Sequence, residues 1–299
     1  HGKHVAVEVP AAKTVDECWK LVLTSEKTRK HCVMLENCCY DFFEMMTLNM
    51  ARRNYFGDII HCEGAYIHDL LASLFDQNAR YEHWRLTENA TRNGNLYPTH
   101  GFGPICQILT INRGNRLEYL SSMASKDFSL GPMAAEKADS DPYVKQIRNA
   151  AFRGNMNTST IMTHSGATIM LQHDVSSPRP YSRLHVISGT KAYAQKYPLP
   201  AKIALGHEKF VRDEELIKLD AEYSPGIVTR LGELAKKVGG HGGMDFIMDW
   251  RLIDCLRRGL PVDMDVYDAA AWSVIGPLSE YSSANGSQPI PIPDFTMGR

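Results

Sequence analysis

A strand–helix–strand pattern at the start of the chain most restricts the folds that are open to it. The run His4-Val-Ala-Val-Glu-Val-Pro10 is β-branched and ends at a proline, which predicts a short buried strand. Thr14 and Glu17 have the spacing of a capping box, and apolar residues then recur at helical intervals until about Thr28. Residues 32–35 form a second apolar run. Two strands joined by a helix make a parallel crossover unit, so the sequence predicts an α/β fold.

Polar residues directly follow both predicted strands. Glu8 lies at the end of the first strand, and Glu36 and Asn37 follow the second. Ligands of parallel sheets bind at the carboxyl ends of the strands, which makes these three residues candidates for a binding site. The alternative interpretation is that they only cap the next helix.

The unit formed by residues 4–37 needs partner strands, and none precedes it in the sequence. The glycine-rich run Gly239–Gly243 follows a helical stretch rather than a strand. It therefore lacks the context of a dinucleotide-binding loop and is expected to cap a helix. We expect residues 1–37 to be the C-terminal remnant of a Rossmann-type nucleotide-binding domain, with on the order of 100 further residues upstream. Residues 38–299 are then a substrate-binding domain.

The remainder of the chain predicts strands flanked by helices. A helix is expected over residues 40–53 and a strand over Ile59–Tyr66, whereas residues 73–95 look polar and irregular. Short strand-like runs without intervening helices then indicate an open antiparallel sheet, and the final third is helical. The expected strands are 117–123, 157–164, 167–175 and 183–188, with a polar connection over 190–200. The expected helices are 213–219, 225–238, 243–258 and 265–282, followed by an extended tail. The predicted fold class is α/β: the C-terminal part of a Rossmann-type parallel sheet, then an α/β domain with an open antiparallel sheet.

The segment Asn95–Pro104 concentrates groups that transfer protons. It contains Tyr97, Pro98, Thr99 and His100, followed by two glycines and a second proline. Glycine and proline make a helix improbable, so we expect a rigid loop that leads into a strand over residues 105–111. A polar loop on a strand scaffold is a common location for catalytic groups. The alternative is a plain turn with a solvated histidine.

Composition excludes several classes of function. The formal net charge is −1, so no global field would recruit nucleic acid or an anionic membrane. No apolar run approaches the roughly 20 residues that span a bilayer. The seven cysteines have no framework spacing and are expected to be small buried hydrophobes. The sequence contains no CxxC or HxxxH pair, so no metal site is predicted.

The residues that remain favour proton transfer. No carboxylate has a partner on the central segment, as a conventional glycosidase would require, and the GxSxG elbow of serine hydrolases is absent. Phenols and imidazoles move protons to and from hydroxyls and carbon acids, and an arginine can orient a polar substrate. The sequence therefore predicts proton transfer on a polar small molecule, beside a parallel-sheet cofactor site. The groups concerned are Tyr66, His68, Arg85, Tyr97, His100 and Tyr181.

Several motifs resemble one known family. Gly2-Lys-His-Val-Ala-Val-Glu-Val-Pro10 resembles the GKHVxxEKP strand motif of the Gfo/Idh/MocA oxidoreductases, with Val9 in place of the lysine that assists hydride transfer in the sugar dehydrogenases. The EVP form, together with further motifs, resembles glycoside hydrolase family 109, the NAD-dependent α-N-acetylgalactosaminidases. Those motifs are Leu35-Glu-Asn-Cys-Cys-Tyr40, Gly64-Ala-Tyr-Ile-His-Asp69, His83-Trp-Arg85, Tyr97-Pro-Thr-His-Gly101 and His241-Gly-Gly-Met-Asp245.

The resemblance implies a cofactor, a substrate and a mechanism. It implies NAD contacts at Glu8, Val9 and Asn37, and a terminal α-linked N-acetylgalactosamine as the group that is cleaved. The implied reaction oxidises the sugar at C3, eliminates the leaving group, adds water and reduces the ketone again. His100 and Tyr66 would share the proton transfers. The implied sugar contacts are Tyr66, Arg85, Tyr97, Pro98, Thr99, His100 and Tyr181.

Two other functions stay open at this point. One is an NAD(P)-dependent sugar dehydrogenase, against which Val9 argues. The other is an inactive substrate-domain fragment, since the family's glycine fingerprint would lie upstream of residue 1. The compartment also stays open: cysteines without disulfide spacing fit the cytoplasm, whereas family members are often exported folded to the periplasm. The oligomeric state is open as well, a homo-oligomer included.

Overall fold

The N-terminal part of the chain forms the predicted parallel unit. A computed structural model describes residues 2–76, 78, 83–207 and 209–298. Strand β1 (Val5–Val7) pairs in parallel with β2 (Cys32–Met34), and α1 (Val15–Thr28) connects them. The capping box between Thr14 and Glu17 is present, with both of its reciprocal hydrogen bonds. Element types and bounds therefore agree with the local signals in the sequence.

Strand β1 is more exposed than predicted. Val5 retains 53% of its accessible surface, and Ala6 is also exposed. Among the described residues β1 hydrogen-bonds only to β2, so that one edge and much of its surface face solvent. The expectation of a buried strand was wrong for this reason.

A mixed eight-stranded sheet dominates the rest of the chain. Its order is β10-β4-β5-β6-β3-β7-β8-β9, and all neighbours are antiparallel except β3 and β6. Because β6 and β7 run in opposite directions, a strand inserted between them must be parallel to one of them. The predicted open antiparallel sheet is confirmed, with the difference that one neighbouring pair, β3 and β6, is parallel. The strands are β3 (Ile59–Ile67), β4 (Leu117–Ala124), β5 (Asn157–Thr163), β6 (Thr168–Asp174), β7 (Ser182–Gly189), β8 (Ala192–Gln195), β9 (Lys202–Leu205) and β10 (Ile290–Pro291).

Helices cover one face of this sheet and the parallel unit. The last five confirm the predicted helical final third, in which four helices were expected, because the helix expected over 265–282 is divided in two at Val274. The remaining helices are α2 (Phe42–Arg52), α3 (Leu71–Leu74), α4 (His83–Thr91), α5 (Thr99–Ile108), α6 (Leu130–Lys137), α7 (Pro142–Ile147), α8 (Asp213–Tyr223), α9 (Gly226–Val238), α10 (Met244–Arg258), α11 (Val266–Ser273) and α12 (Ile275–Ala284). No described helix is both long enough and apolar enough to cross a membrane.

Two segments predicted to be irregular contain regular structure. Residues 73–95 include α4, in which Leu86 and Ala90 are buried one turn apart while Trp84, Thr87 and Thr91 are exposed; residues 77 and 79–82 of this segment lie outside the described part. The polar connection over 190–200 contains β8, where Ala192 and Ala194 are buried and their neighbours half-buried. Alanine has little strand propensity, which concealed this alternation.

The central segment is a helix rather than a loop followed by a strand. Helix α5 contains Gly101, Gly103 and Pro104, all of them buried. An added Cβ at Gly101 would lie 2.2 Å from the backbone nitrogen of Ala65 on β3, so the helix backbone lies directly against the strand. This close approach requires glycine and compensates for the poor helix propensity of the segment. The expected loop and the expected strand over 105–111 were both wrong.

The cysteines are free thiols, as predicted. Six are buried and Cys32 is half-buried. Burial raises the pKa of Cys62 and Cys106, in keeping with an inert structural role.

Four charged side chains form a buried charge cluster between α2 and β7. It comprises Asp41, Glu44, Arg183 and Lys196, two carboxylates and two cations. Glu44 Oε1 accepts from Arg183 at 2.7 Å, and Glu44 Oε2 accepts from Lys196 at 2.7 Å. Burial opposes ionisation of Glu44, but the two cations lower its pKa to about 2. The cluster is therefore charged and internally balanced.

We expect Gly101→Ala to destabilise the protein by about 3 kcal/mol or more, because the new methyl group meets backbone that cannot move aside. Gly226→Ala, at the start of α9, is the control, since its nearest neighbouring atom lies 4.0 Å away and alanine favours helix. Urea unfolding measures both variants. Equal stability of the two would show that α5 does not lie against β3.

Stability should fall as the pH is lowered from about 6.5 to about 4. His185 is buried beside the buried charge cluster, and burial lowers the pKa of His185 to about 4. Its neutral form is favoured by folding, so its contribution is complete above its unfolded pKa and is lost as the pH falls towards the folded value. A shift of this size corresponds to about 3 kcal/mol.

His185→Asn tests this assignment, because asparagine tolerates the positive φ of 53° at this position. The free energy of unfolding of the variant, measured by urea titration at several pH values, should depend less on pH in this window. An unchanged slope would assign the acid sensitivity to other groups.

Candidate functional site

A cavity of about 530 Å³ lies between the parallel unit and the large sheet. It is bounded by the carboxyl ends of β1, β2 and β3, by the start of α5 and by the start of α10. Eight of the residues predicted from the sequence line it: Glu8, Val9, Asn37, Tyr66, His68, Arg85, Tyr97 and His100. The structure thus brings the predicted cofactor contacts and most of the predicted sugar contacts to one cavity.

Three aromatic side chains form the centre of the wall. Tyr66 lies near the end of β3, Tyr97 directly precedes α5, and His100 is in its first turn. The ring centres of Tyr66 and Tyr97 are 4.9 Å apart, those of Tyr66 and His100 5.3 Å, and those of Tyr97 and His100 4.9 Å. A substrate in the cavity could therefore contact all three at once.

A buried carboxylate orients His100. Its Nδ1 lies 2.7 Å from Glu36 Oε1, and Glu36 is fully buried. The same oxygen accepts from the backbone N–H of Cys38 at 3.0 Å. Burial opposes ionisation of Glu36, but the charge and hydrogen bond of His100 lower its pKa below the ordinary value. With Nδ1 donating to this carboxylate, Nε2 is the ring nitrogen left for a ligand in the cavity.

Glu36 therefore satisfies both interpretations of its position. It caps the 3-10 helix Asn37–Tyr40, and it also holds a candidate catalytic residue. Sequence reasoning identified it as a strand-end candidate but not as the partner of His100, because the two residues are 64 positions apart.

A second polar pair lies beside the first. Tyr66 Oη is 3.1 Å from His68 Nδ1, and both residues line the cavity. Tyr181 approaches from the other side, with its ring centre 5.1 Å from His68 and 6.3 Å from Tyr66. Tyr181 is 38% exposed and stands at the rim rather than in the wall.

Arg85 lies against the aromatic group. Its guanidinium carbon is 5.0 Å from the ring centre of Tyr97 and 4.7 Å from that of Trp84. Burial raises the pKa of Tyr97 although Arg85 opposes this, so Tyr97 is a neutral phenol. Pro98 and Thr99 are buried in the start of α5, and their side chains are not among the described groups that line the cavity. A sugar contact by these two stays a prediction.

The opposite wall contains polar residues that the sequence did not place there. Asn37 Nδ2 donates to Asp245 Oδ1 at 2.7 Å, and Asp245 Oδ2 accepts from His241 Nδ1 at 2.7 Å. Asp249 follows one turn later on α10. The run Gly239–Gly243 does cap α9 as expected, and it also brings these side chains to the cavity. The motif that begins at His241 was the only available signal.

Comparison with known proteins gives consistent results. A family model described as "Glycosyl hydrolase 109, C-terminal domain" matches residues 40–299. The chain is 50% identical over 303 residues to the alpha-N-acetylgalactosaminidase of Bacteroides fragilis, covering 100% of this chain and 71% of that protein. It is also 50% identical over 299 residues to a glycosyl hydrolase family 109 protein of Solibacter usitatus, covering 100% of this chain and 67% of that protein.

Solved structures are similar in fold at low sequence identity. A levoglucosan dehydrogenase in complex with NADH and L-sorbose has a TM-score of 0.68 and 14% identity, covering 99% of this chain and 75% of that one. An inositol dehydrogenase homologue from Azotobacter vinelandii, complexed with NADH and myo-inositol, has a TM-score of 0.60 and 13% identity, covering 97% and 72%. These similarities confirm the predicted α/β architecture.

Proposed function

The chain belongs to glycoside hydrolase family 109, and we propose that it cleaves terminal α-linked N-acetylgalactosamine from glycans in an NAD-dependent reaction. The observation that carries the proposal is the single cavity in which strand-end residues face the group formed by Tyr66, Tyr97 and His100. The 50% identity to the alpha-N-acetylgalactosaminidase of Bacteroides fragilis supports the choice of sugar. In this proposal residues 1–37 belong to the NAD-binding part, and residues 38–299 bind the substrate.

The cofactor side of the cavity fits the nicotinamide end of NAD. Glu8 and Asn37 bring a carboxylate and an amide to the ends of two parallel strands, and Val9 adds an apolar surface. A carboxamide needs polar partners and a flat ring needs apolar contact, so this set of groups suits it. When bound there, NAD would supply a reversible two-electron oxidation of the sugar. Val9 cannot transfer a proton, so other residues must do so.

His100 and Tyr66 are the groups proposed to move protons. Glu36 holds Nδ1 of His100, so that Nε2 can accept a proton from the C3 hydroxyl of the sugar and return it. Tyr66 is hydrogen-bonded to His68, which gives its hydroxyl a partner for proton exchange. We propose that His100 and Tyr66 share the proton transfers at the C3 hydroxyl, at C2 and at the leaving oxygen.

Tyr97 and Arg85 are proposed to bind the sugar rather than to react with it. Tyr97 is held neutral by burial, and Arg85 is a permanent cation with several donors. Neither is suited to act as a base at neutral pH. Their contacts would fix the ring so that its reacting positions face His100 and Tyr66.

The direct test is hydrolysis of a p-nitrophenyl α-N-acetylgalactosaminide by the purified chain, with and without added NAD. We expect release of the phenol that depends on NAD, without net accumulation of NADH. Thermal unfolding with NAD alone gives a second readout, because a ligand that binds only the folded state raises the melting temperature. Accumulation of NADH with free sugar and no glycoside cleavage would instead indicate a sugar dehydrogenase. Absence of both stabilisation and cleavage would contradict the proposal for this chain.

Replacing His100 with alanine should lower kcat by about 10²- to 10⁴-fold with a much smaller change in KM, since general acid–base groups act mainly in the transition state. Steady-state kinetics on the same glycoside measures both constants. An unchanged kcat would remove His100 from the chemistry.

Glu36→Gln should lower kcat by about 10- to 100-fold, because the amide keeps the shape but not the charge that orients His100. Glu118→Gln is a matched control: Glu118 Oε1 also lies 2.7 Å from a histidine Nδ1, that of His164, but Glu118 is only half-buried and His164 is exposed. The control variant should retain wild-type kinetics. Equal losses in the two variants would contradict a specific role of Glu36.

A further inference from the structure

The hydroxyl group of Tyr181 has a fixed hydrogen-bonding direction. Arg183 Nη1 donates to Tyr181 Oη at 3.2 Å, and an arginine can only donate. The phenol oxygen is therefore the acceptor, and its own proton must point elsewhere. No other described group hydrogen-bonds to Tyr181 Oη. The O–H of Tyr181 is thus available as a donor at the rim of the cavity.

The buried charge cluster holds Arg183 in this orientation. Its Nη2 donates to both Asp41 and Glu44, which leaves Nη1 for Tyr181. Lys196 bridges the same two carboxylates at 2.6 and 2.7 Å. The two cations therefore balance the two carboxylates of the cluster, and no unpaired carboxylate in it competes with Tyr181 for the guanidinium. Arg183 is only 3% exposed.

The backbone directly after Arg183 also indicates that the direction of the Arg183 side chain is fixed. Leu184 and His185 both have positive φ values, 58° and 53°, which are unfavourable for residues with side chains. The pairing of β7 with β3 skips His185, which makes this a β-bulge. Bulges change the direction of a side chain next to functional sites, and here the bulge directly follows the arginine that contacts Tyr181.

We propose that Arg183 is a positioning residue that sets the hydroxyl of Tyr181 as a hydrogen-bond donor to an acceptor oxygen of the sugar. This inference rests on the proposed function, because it assumes that the sugar reaches the rim at Tyr181. Burial raises the pKa of Tyr181, which keeps the phenol protonated and able to donate. Arg183 itself does not touch the substrate.

A double-mutant cycle tests the inference. The proteins are the full chain, Tyr181→Phe, Arg183→Lys and the double variant, each titrated calorimetrically with N-acetylgalactosamine in the presence of NAD. Lysine keeps the charge, but its donors share one nitrogen, whereas Arg183 reaches the carboxylates with Nη2 and the phenol with Nη1; lysine therefore does not reproduce the fork that spans these partners. We expect Tyr181→Phe to weaken binding about tenfold and Arg183→Lys about threefold or more. In the Tyr181→Phe background Arg183→Lys should cause no further loss of affinity.

Stability measured on the same proteins separates positioning from a merely structural role. Most of the loss of unfolding free energy caused by Arg183→Lys should remain in the Tyr181→Phe background, because the contacts of Arg183 with Asp41 and Glu44 are still lost there, whereas its effect on affinity should vanish without the hydroxyl. Tyr197→Phe is the control, because its ring also lies 5.5 Å from Arg183 but receives no hydrogen bond from it. The control should bind the sugar as the wild type does.

Several outcomes would overturn the inference. These are an unchanged affinity of Tyr181→Phe, or an equal effect of Arg183→Lys with and without the hydroxyl. If Arg183→Lys does not fold, Asp41→Asn replaces it, and its weaker effect on affinity should likewise disappear in Tyr181→Phe. A wild-type chain that neither binds N-acetylgalactosamine nor cleaves its glycoside would remove the proposed function and the inference together. If the wild-type chain cleaves the glycoside and Tyr181→Phe binds N-acetylgalactosamine as tightly as the wild type does, the inference fails and the proposed function stands.

Discussion

The contact between the backbones of α5 and β3 fixes the groups on which the proposed chemistry depends. A Cβ at Gly64 would lie 2.5 Å from the carbonyl oxygen of Gly101, and a Cβ at Gly101 would meet Ala65 even more closely. Tyr66 is two residues from Gly64, and His100 adjoins Gly101. The separation of these two side chains is therefore set by the packing of one backbone on another. Such packing permits little relative movement, as a site for proton transfer between fixed positions requires.

The hydrogen bond between Glu36 and His100 joins this helix to the parallel unit. Glu36 follows β2, whose carboxyl end also carries Asn37, so the same turn supports the proposed cofactor side and the proposed base. A fully buried carboxylate is stable only while its partners remain in place, since an unpaired buried charge costs several kcal/mol. The relative position of the two units and the orientation of His100 are thus coupled through one interaction.

Local sequence signals predicted the elements whose stability is local. Thr14 and Glu17 predicted the start of α1, short strand-like runs without intervening helices predicted β4 to β7, and the final third was predicted to be helical. Helix α5 could not be predicted in this way, because Gly101 favours a helix only once β3 lies against it. Glu36 could not be predicted as the partner of His100 for the same reason, because the two residues are 64 positions apart and only the fold brings them together.

The residues that line the cavity were identified from the sequence more completely than the element that carries some of them. The chemistry of Tyr66, Tyr97 and His100 is evident from residue type alone, and strand ends indicate Glu8 and Asn37 without knowledge of any contact. The position of Asp245 and His241 at the cavity was not evident, because a glycine-rich cap explains that run equally well. Residue types thus indicated the function, whereas long-range contacts determine how the residues around the cavity are arranged.

The partners of the three tyrosines indicate different roles for them. Tyr181 accepts a hydrogen bond from Arg183, and Tyr97 lies beside Arg85; an arginine does not take up a proton at neutral pH. Among the described residues neither phenol has a hydrogen-bond partner that could remove its proton, so both are suited to present a donor to a sugar oxygen. Tyr66 differs, because its hydroxyl lies 3.1 Å from Nδ1 of His68, and an imidazole ring has one nitrogen that can donate and one that can accept. In the proposed mechanism, the residue next to each hydroxyl therefore separates the tyrosines that bind the sugar from the one that moves protons.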